Sequence, residues 1–221
     1  MPTIPVVETI LSVNDQLAEQ NRKVLDEAGV LALNMMASPG GGKTSVIAKT
    51  IDALRDATRI GVMDGDVVAL DLEAFAAQGI PVSLINTGGN CHLDAHMVHN
   101  ALPSMDLRAL DLLIIENVGN LICPAAFKLG SHVNVVIASV PEGADKPYKY
   151  PAMFGGADVL LLNKMDLAEY MAFDVEYFRH GVEVLNPGLT FFPISCRTGE
   201  GLDAWIDWLR ARLAQKTAPG A

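Results

Sequence analysis

Cysteine is scarce in this chain, with three among 221 residues, and basic side chains are outnumbered, 16 Lys and Arg against 26 Asp and Glu. An odd count of three is a poor disulfide framework, so reduced thiols and a cytoplasmic location are expected. A net charge of −10 offers no basic face for counterion release, which argues against nucleic-acid binding. It does not exclude an anionic nucleotide held by backbone amides and a lysine. Long hydrophobic runs are missing too. Stretches such as Leu112 to Ile115 and Val159 to Leu162 fall far short of the ~18 residues that would cross a bilayer, so no membrane association is expected. MPTIPVVETI lacks the basic cluster, apolar block and cleavage signal of a targeting peptide. No repeat, low-complexity segment or long linker interrupts the chain.

Half of the residues are apolar, enough for one sizeable core. Residues 8–28 read as an amphipathic helix, with Ile10, Leu17 and Val24 recurring beside Leu11 and Leu25, and Gly29 ending it. Short continuous apolar runs then alternate with helical stretches: Val30–Met36, Arg59–Met63, Val82–Asn86, Leu112–Ile115, Val133–Ser139, Val159–Leu162 and Thr190–Ile194. Runs without alternation imply strands buried on both faces, hence a mostly parallel seven-stranded sheet flanked by helices, an α/β fold. Leu202, Trp205, Ile206, Leu209 and Leu213 form one stripe of a last helix, with both tryptophans in core packing. The expected organisation is a helical extension over 1–29, one domain over 30–215, and a frayed tail over 216–221.

Between the first strand and the next helix stands ASPGGGKT, Ala37 to Thr44. It fits the phosphate-loop pattern, with alanine where the stricter form has glycine, and makes the fold a P-loop NTPase. Gly40, Gly41 and Gly42 let successive amides turn toward phosphate oxygens. Lys43 can reach the terminal phosphates, the Thr44 hydroxyl can ligate Mg2+, and Ser45 continues the cradle into a helix whose N-terminal dipole adds to it.

After the sixth run comes Asn163-Lys164-Met165-Asp166, an NKxD loop. Its carboxylate can accept hydrogen bonds from guanine N1–H and the exocyclic amine, a pair that adenine lacks, so GTP and GDP are the expected ligands. Ser195-Cys196-Arg197-Thr198-Gly199 follows the seventh run and is similar to the SAxxG loop that supports guanine, with Cys196 in the alanine position. Acids are needed near Mg2+ and the attacking water. Asp66 and Glu116, at strand ends near the phosphate loop, are the candidates, with Lys43, for catalysis. Asp64 reads as a solvated loop charge. Glu116-Asn117-Val118-Gly119 resembles a DxxG switch with Glu for Asp, in which the Gly119 amide meets the γ-phosphate and moves when it leaves. No arginine or glutamine stands beside Asp66 or Gly119 to speed the reaction, so intrinsic turnover is expected to be slow.

Asn90 to His99, NCHLDAHMVH, holds one of the three cysteines and three of the five histidines. In a parallel sheet every strand's C-terminal end lies on the ligand-binding edge. Cys91 and His92 follow one such end, and Cys123 follows another, seven residues after Glu116. Two thiolates and an imidazole suit Zn(II) or Ni(II). The set is one donor short unless His96 joins or a second subunit completes it. His96 and His99 read as polar helix surface, and Cys123 on its own as a small core hydrophobe.

ASPGGGKT, NTGGNCHLDAHM, IENVGNLICPA, PEGADKPYKYPAMF and LNKMDL together resemble the HypB family, GTPases of nickel delivery in nickel–iron hydrogenase maturation. CHLDA and ENVGNLxC carry the resemblance; the phosphate loop and NKxD are shared more widely. The resemblance implies a conserved metal site on Cys91, His92 and Cys123, a homodimer promoted by GTP with the metal near its interface, and as partners a nickel-binding accessory protein and the hydrogenase large-subunit precursor. Some members carry an N-terminal cysteine motif or a His-rich tract. This sequence has neither, which points to transfer or regulation rather than storage. Lys146, Lys149 and Tyr150 match the family and are either a solvated basic loop or a contact across the dimer. Three other readings compete: a GTPase serving another nickel enzyme such as urease, a P-loop kinase, and a metal scaffold with a vestigial nucleotide site. The CHLDA spacing, the scattered arginines and the intact Lys43, Thr44, Glu116 and Asp166 weigh against them in turn. Cys123 lies four residues beyond Gly119, at most ~14 Å of chain, so a loop closing on the γ-phosphate would drag a metal ligand.

Overall fold

Each of the apolar runs forms a strand of one sheet in a computed structural model that describes residues 6–67 and 70–217. The strands are β1 (Leu31–Ala37), β2 (Ile60–Asp66), β3 (Val82–Asn86), β4 (Leu112–Glu116), β5 (Val133–Ser139), β6 (Val159–Asn163) and β7 (Thr190–Pro193). All pair in parallel, in the order β3-β2-β4-β1-β5-β6-β7. The helices are α1 (Val6–Ala28), α2 (Lys43–Leu54), α3 (Leu70–Ala76), α4 (Ala95–Ala101), α5 (Lys146–Lys149), α6 (Pro151–Gly155), α7 (Val175–Leu185) and α8 (Leu202–Thr217). No helix among the described residues is long and apolar enough to cross a membrane.

In the five inner strands burial on both faces explains the continuous apolar runs, whereas the edge strands β3 and β7 are only partly buried, against the expectation. In β1, Leu31, Leu33, Met35 and Ala37 pack against Val46, Ile47 and Ile51 of α2 and Trp205 and Leu209 of α8. On the opposite face Ala32 meets Leu25 of α1 and Val98 of α4, while Met36 meets Phe154 of α6 and Phe178 of α7. The α8 stripe is buried as its spacing predicts, and Trp205 Nε1 donates to Thr50 Oγ1 of α2 at 3.0 Å. α8 runs two residues past the expected fraying point at Gln215, and Lys216 pairs with Asp26 at the end of α1. Residues 218–221, the rest of that tail, lie outside the described residues.

α1 departs from its predicted face. Ile10 is 53% exposed and Val24 38%, whereas Asn14, Ala18, Asn21 and Leu25 form the buried stripe. The helix lies over the first turn of α4 and the loop at Lys128 and Leu129, whose free amide and carbonyl groups need hydrogen-bond partners rather than apolar cover. It ends as expected: Val30 N–H reaches the Leu25 carbonyl and Gly29 N–H the Asp26 carbonyl, both at 3.0 Å, with Gly29 at φ 74°.

Candidate nucleotide and metal site

The phosphate loop leaves the end of β1 and enters α2 through Gly42, which sits at φ 100°. A side chain there would strike the Asn163 amide. Alanine is tolerated at position 37 because Gly41 has no side chain; a Cβ at 41 would come within 3.1 Å of the Ala37 methyl. The Ser38 hydroxyl is buried in this loop and has no hydrogen-bond partner among the described residues. Such a group calls for a partner from outside the chain, and a phosphate oxygen fits. The Thr44 hydroxyl donates to Glu116 Oε1 at 3.1 Å, which brings the end of β4 to the start of α2.

The acids of β2 are distributed differently from the sequence reading. Asp64 is not a solvated loop charge: it is a buried strand residue in register with Glu116. Neighbours in register on parallel strands share a face, which sets Asp64 beside Glu116. Asp66 is on the same face, about 6–7 Å further along the strand, where it is exposed and its Oδ1 accepts from Val67 N–H at 2.6 Å. Asp64 shares its face with Ile60 and Val62, which pack in the core beneath α2 and α8.

The NKxD loop closes over the phosphate loop. Lys164 adopts a left-handed conformation (φ 62°) and its Nζ donates to the Gly40 carbonyl at 2.7 Å. Asn163 donates to the Gly41 carbonyl at 3.3 Å, and its Oδ1 accepts from the amides of Lys164 (2.8 Å) and Cys196 (3.2 Å). Asp166 Oδ1 accepts from the Ser195 hydroxyl at 2.7 Å, which, with Arg197 nearby, holds its carboxyl below the usual range. These residues open onto a cavity of about 520 Å3 walled also by Ser45, Lys49, Leu167 and Cys196. Burial pushes the Cys196 thiol up, in keeping with a wall rather than a metal ligand. The sequence reading missed Lys49, two turns into α2.

Cys91, His92 and Cys123 converge, with ligand atoms all within 4.8 Å of one another. The Cys91 thiol donates to Cys123 Sγ at 3.1 Å, which with burial pushes its pKa up, and Cys91 Sγ lies 3.7 Å from His92 Nδ1. Burial lowers the pKa of His92, whose ring packs against Phe127 at 4.1 Å between centroids. Neutral imidazole is the ligating form. His96 is exposed and bonds to Asn100. His99 is turned inward, against the expected surface position, and bonds to Asn21 of α1 at 2.9 Å.

Two asparagines tie this cluster to the loop after β4. Asn117 Oδ1 accepts from Leu93 N–H, one residue past His92, at 3.0 Å. Asn120 donates to the Cys91 carbonyl at 3.1 Å and accepts from Ile122 N–H at 2.9 Å. Between them Gly119 lies on the phosphate loop, where a Cβ would stand 3.2 Å from Pro39 Cα. One segment, Glu116 to Cys123, therefore touches the nucleotide loop and both arms of the cluster. In the PEGADKPYKYP segment, Lys149 is paired with Asp145 at 2.5 Å and Lys146 lies over the Tyr150 ring at 5.2 Å.

The model of the CobW/HypB/UreG nucleotide-binding domain matches residues 31–193. The hydrogenase maturation factor HypB of Rhizobium leguminosarum bv. viciae is 44% identical over 96% of this chain and 72% of its own length. This chain belongs to the HypB family. Solved structures of HypB agree with its fold: HypB from Archaeoglobus fulgidus (43% identity, TM-score 0.87) covers 91% of this chain and 99% of its own. HypB from Helicobacter pylori, solved in complex with nickel (33% identity, TM-score 0.87), covers 94% and 99%.

Proposed function

We propose that this HypB-family chain hydrolyses GTP to GDP and phosphate and uses that cycle to bind and release nickel for assembly of a nickel–iron hydrogenase, acting in the cytoplasm, where its thiols stay reduced. The observation that carries the reading is the position of the Cys91, His92 and Cys123 cluster on the segment that also bears Glu116 and Gly119.

Asp166 accepts from guanine while Lys164 and Asn163 brace the phosphate loop beneath it. Lys43 reaches the terminal phosphates, with Gly40, Gly41, Gly42 and Ser45 supplying backbone donors. Thr44 and Glu116, with Asp64 beside them, are the residues that would hold Mg2+. When bound, Mg2+ offsets the charge that builds on the phosphate oxygens in the transition state. Asp66, further out on the same face, is the acid left to orient the attacking water. The sequence offers no arginine or glutamine next to Asp66 or Gly119, so turnover in the isolated protein is expected to be slow.

The nickel is cargo, and zinc suits the same donors. Three ligands leave room for a fourth, and exposed Cys91 puts the cluster where a second subunit can reach it. We assign GTP the role of favouring a homodimer with the ligands gathered. Loss of the γ-phosphate frees Gly119 and shifts Cys123 through the chain, and nickel then passes between an accessory protein and the hydrogenase large-subunit precursor. Lys146 and Lys149 are assigned to the dimer contact. A tenfold change in nickel affinity between nucleotide states needs only ~1.4 kcal/mol of coupling.

The test is metal content and subunit mass of the GTP-analogue form, with and without Cys123→Ala, alongside phosphate release from GTP and from ATP. Nickel should be lost in Cys123→Ala with GTP hydrolysis retained and ATP untouched. Equal nickel in both proteins would remove the metal reading, and equal ATP hydrolysis the guanine reading.

A further inference from the structure

The buried face of α1 carries two asparagines where an amphipathic helix would present apolar side chains, and both are spoken for. Asn14 Oδ1 accepts from Ala95 N–H at 2.8 Å, and its Nδ2 donates to the Lys128 carbonyl at 2.9 Å. Asn21 Nδ2 donates to the Ala95 carbonyl at 2.8 Å and to the Leu129 carbonyl at 3.0 Å, while its Oδ1 accepts from His99. Each side chain thus bridges the same pair of segments. One follows Cys91 and His92; the other follows Cys123 and includes Phe127, whose ring packs on His92.

The approach of helix to loop is close. Gly130 sits at φ 92°, and a Cβ on it would fall 2.7 Å from Asn21 Cβ and 2.9 Å from Arg22 N. Arg22 adds bonds to the carbonyls of Gly130 and Ser131. Ala95 opens α4, where a first-turn N–H has no intrahelical acceptor, and Lys128 and Leu129 lie outside any strand or helix, so the Ala95 amide and the two loop carbonyls take their partners from α1.

We propose that α1 is a clamp on the metal cluster, with Asn14 and Asn21 as positioning residues that fix the Cys91–His92 arm against the Cys123–Phe127 arm. The proposal rests on the metal site assigned above. It gives the N-terminal helix a part in holding the cargo. Anything that lifts α1 separates the ligands, and by reciprocity bound metal must hold α1 down.

The experiment measures Ni(II) affinity by chelator competition, following the thiolate charge-transfer band, and GDP affinity in parallel. Asn14→Ala should weaken nickel about tenfold, the range seen for groups that orient ligands, with GDP affinity within about twofold of the parent. Asp15→Ala, on the same helix as Asn14, removes the exposed pair with loop residue Lys128 and should leave nickel binding within about twofold. In the unmodified protein, nickel should slow hydrogen exchange of the Ala95 amide, the donor to Asn14. Unchanged nickel affinity in folded Asn14→Ala, or a parallel loss of nickel and GDP, overturns the clamp. Should that variant fail to fold, exchange at Ala95 decides: no slowing by nickel overturns it. If the unmodified protein shows no thiolate–nickel band at all, the metal reading falls and the clamp with it.

Discussion

Replacing Asn120 by aspartate separates two bonds made by one side chain. The acceptor oxygen that caps Ile122 N–H at 2.9 Å survives, so the turn before Cys123 keeps its form. The donor to the Cys91 carbonyl at 3.1 Å is lost, and a carboxylate oxygen faces that carbonyl instead. A neutral hydrogen bond of this kind is worth roughly 0.5–1.5 kcal/mol, or about two- to twelvefold in an equilibrium. If Asn120 carries motion of Gly119 to the Cys91 arm, that energy belongs to the coupling between nucleotide and metal. The assay is nickel affinity of the GDP and GTP-analogue forms, each by chelator competition. Added negative charge shifts both forms together, so their ratio is the readout. Asn120→Asp should bring the ratio about two- to twelvefold closer to unity, with nucleotide affinity little changed. A ratio equal to the parent's would show that coupling runs only through the chain from Gly119 to Cys123, and the strut would be an ordinary loop bond.

Other outcomes follow from the same geometry. If Asp166 accepts from guanine as proposed, Asp166→Asn replaces one carboxylate oxygen by a donor; with two charge-assisted bonds at stake, at ~1.5–3 kcal/mol each, GDP affinity should fall by about 100-fold or more in a fluorescent-nucleotide titration, without a gain for ADP. Gly119→Ala sets a methyl 3.2 Å from Pro39, so single-turnover GTP hydrolysis should slow while GDP affinity holds. His132 gives a pH test. Its Nδ1 accepts from Ala32 N–H at 2.9 Å, so the neutral ring donates from Nε2 to Asp26 at 3.0 Å, with the cations of Lys216 and Arg22 close by. Burial first, then those cations, lower its pKa below the ordinary 6.5 despite Asp26. The unfolded chain therefore takes up the proton first: stability is full above about pH 6.5 and is lost as pH falls through the lower folded value. Urea midpoints should drop from pH 7.5 to 5.5, and drop less in His132→Gln.

The inner strands were legible because parallel strands buried on both faces are apolar throughout; the edge strands β3 and β7 are only partly buried and were legible as short apolar runs. The phosphate loop, the NKxD loop and the Cys-His cluster were legible because their chemistry restricts residue type at fixed spacing. What escaped has a common cause. Asp64, Asn117, Asn120, Asn14 and Asn21 are polar residues whose type alone reads as loop or surface, yet Asp64, Asn117, Asn14 and Asn21 are buried. Asp64 continues a strand buried on both faces, past the end of its apolar run. The asparagines carry no hydropathic signal, and each has a partner in a segment distant in sequence. An asparagine offers an acceptor and a donor on one planar group, so it can join two irregular segments at once, as a leucine cannot. A face that must hold loops in place is therefore built from residues that hydropathy assigns to solvent. The rotated stripe of α1 is the consequence: Ile10 and Val24 give up the interior to Asn14 and Asn21 because the first turn of α4 and the irregular loop at Lys128 and Leu129, both with backbone groups to satisfy, lie beneath them.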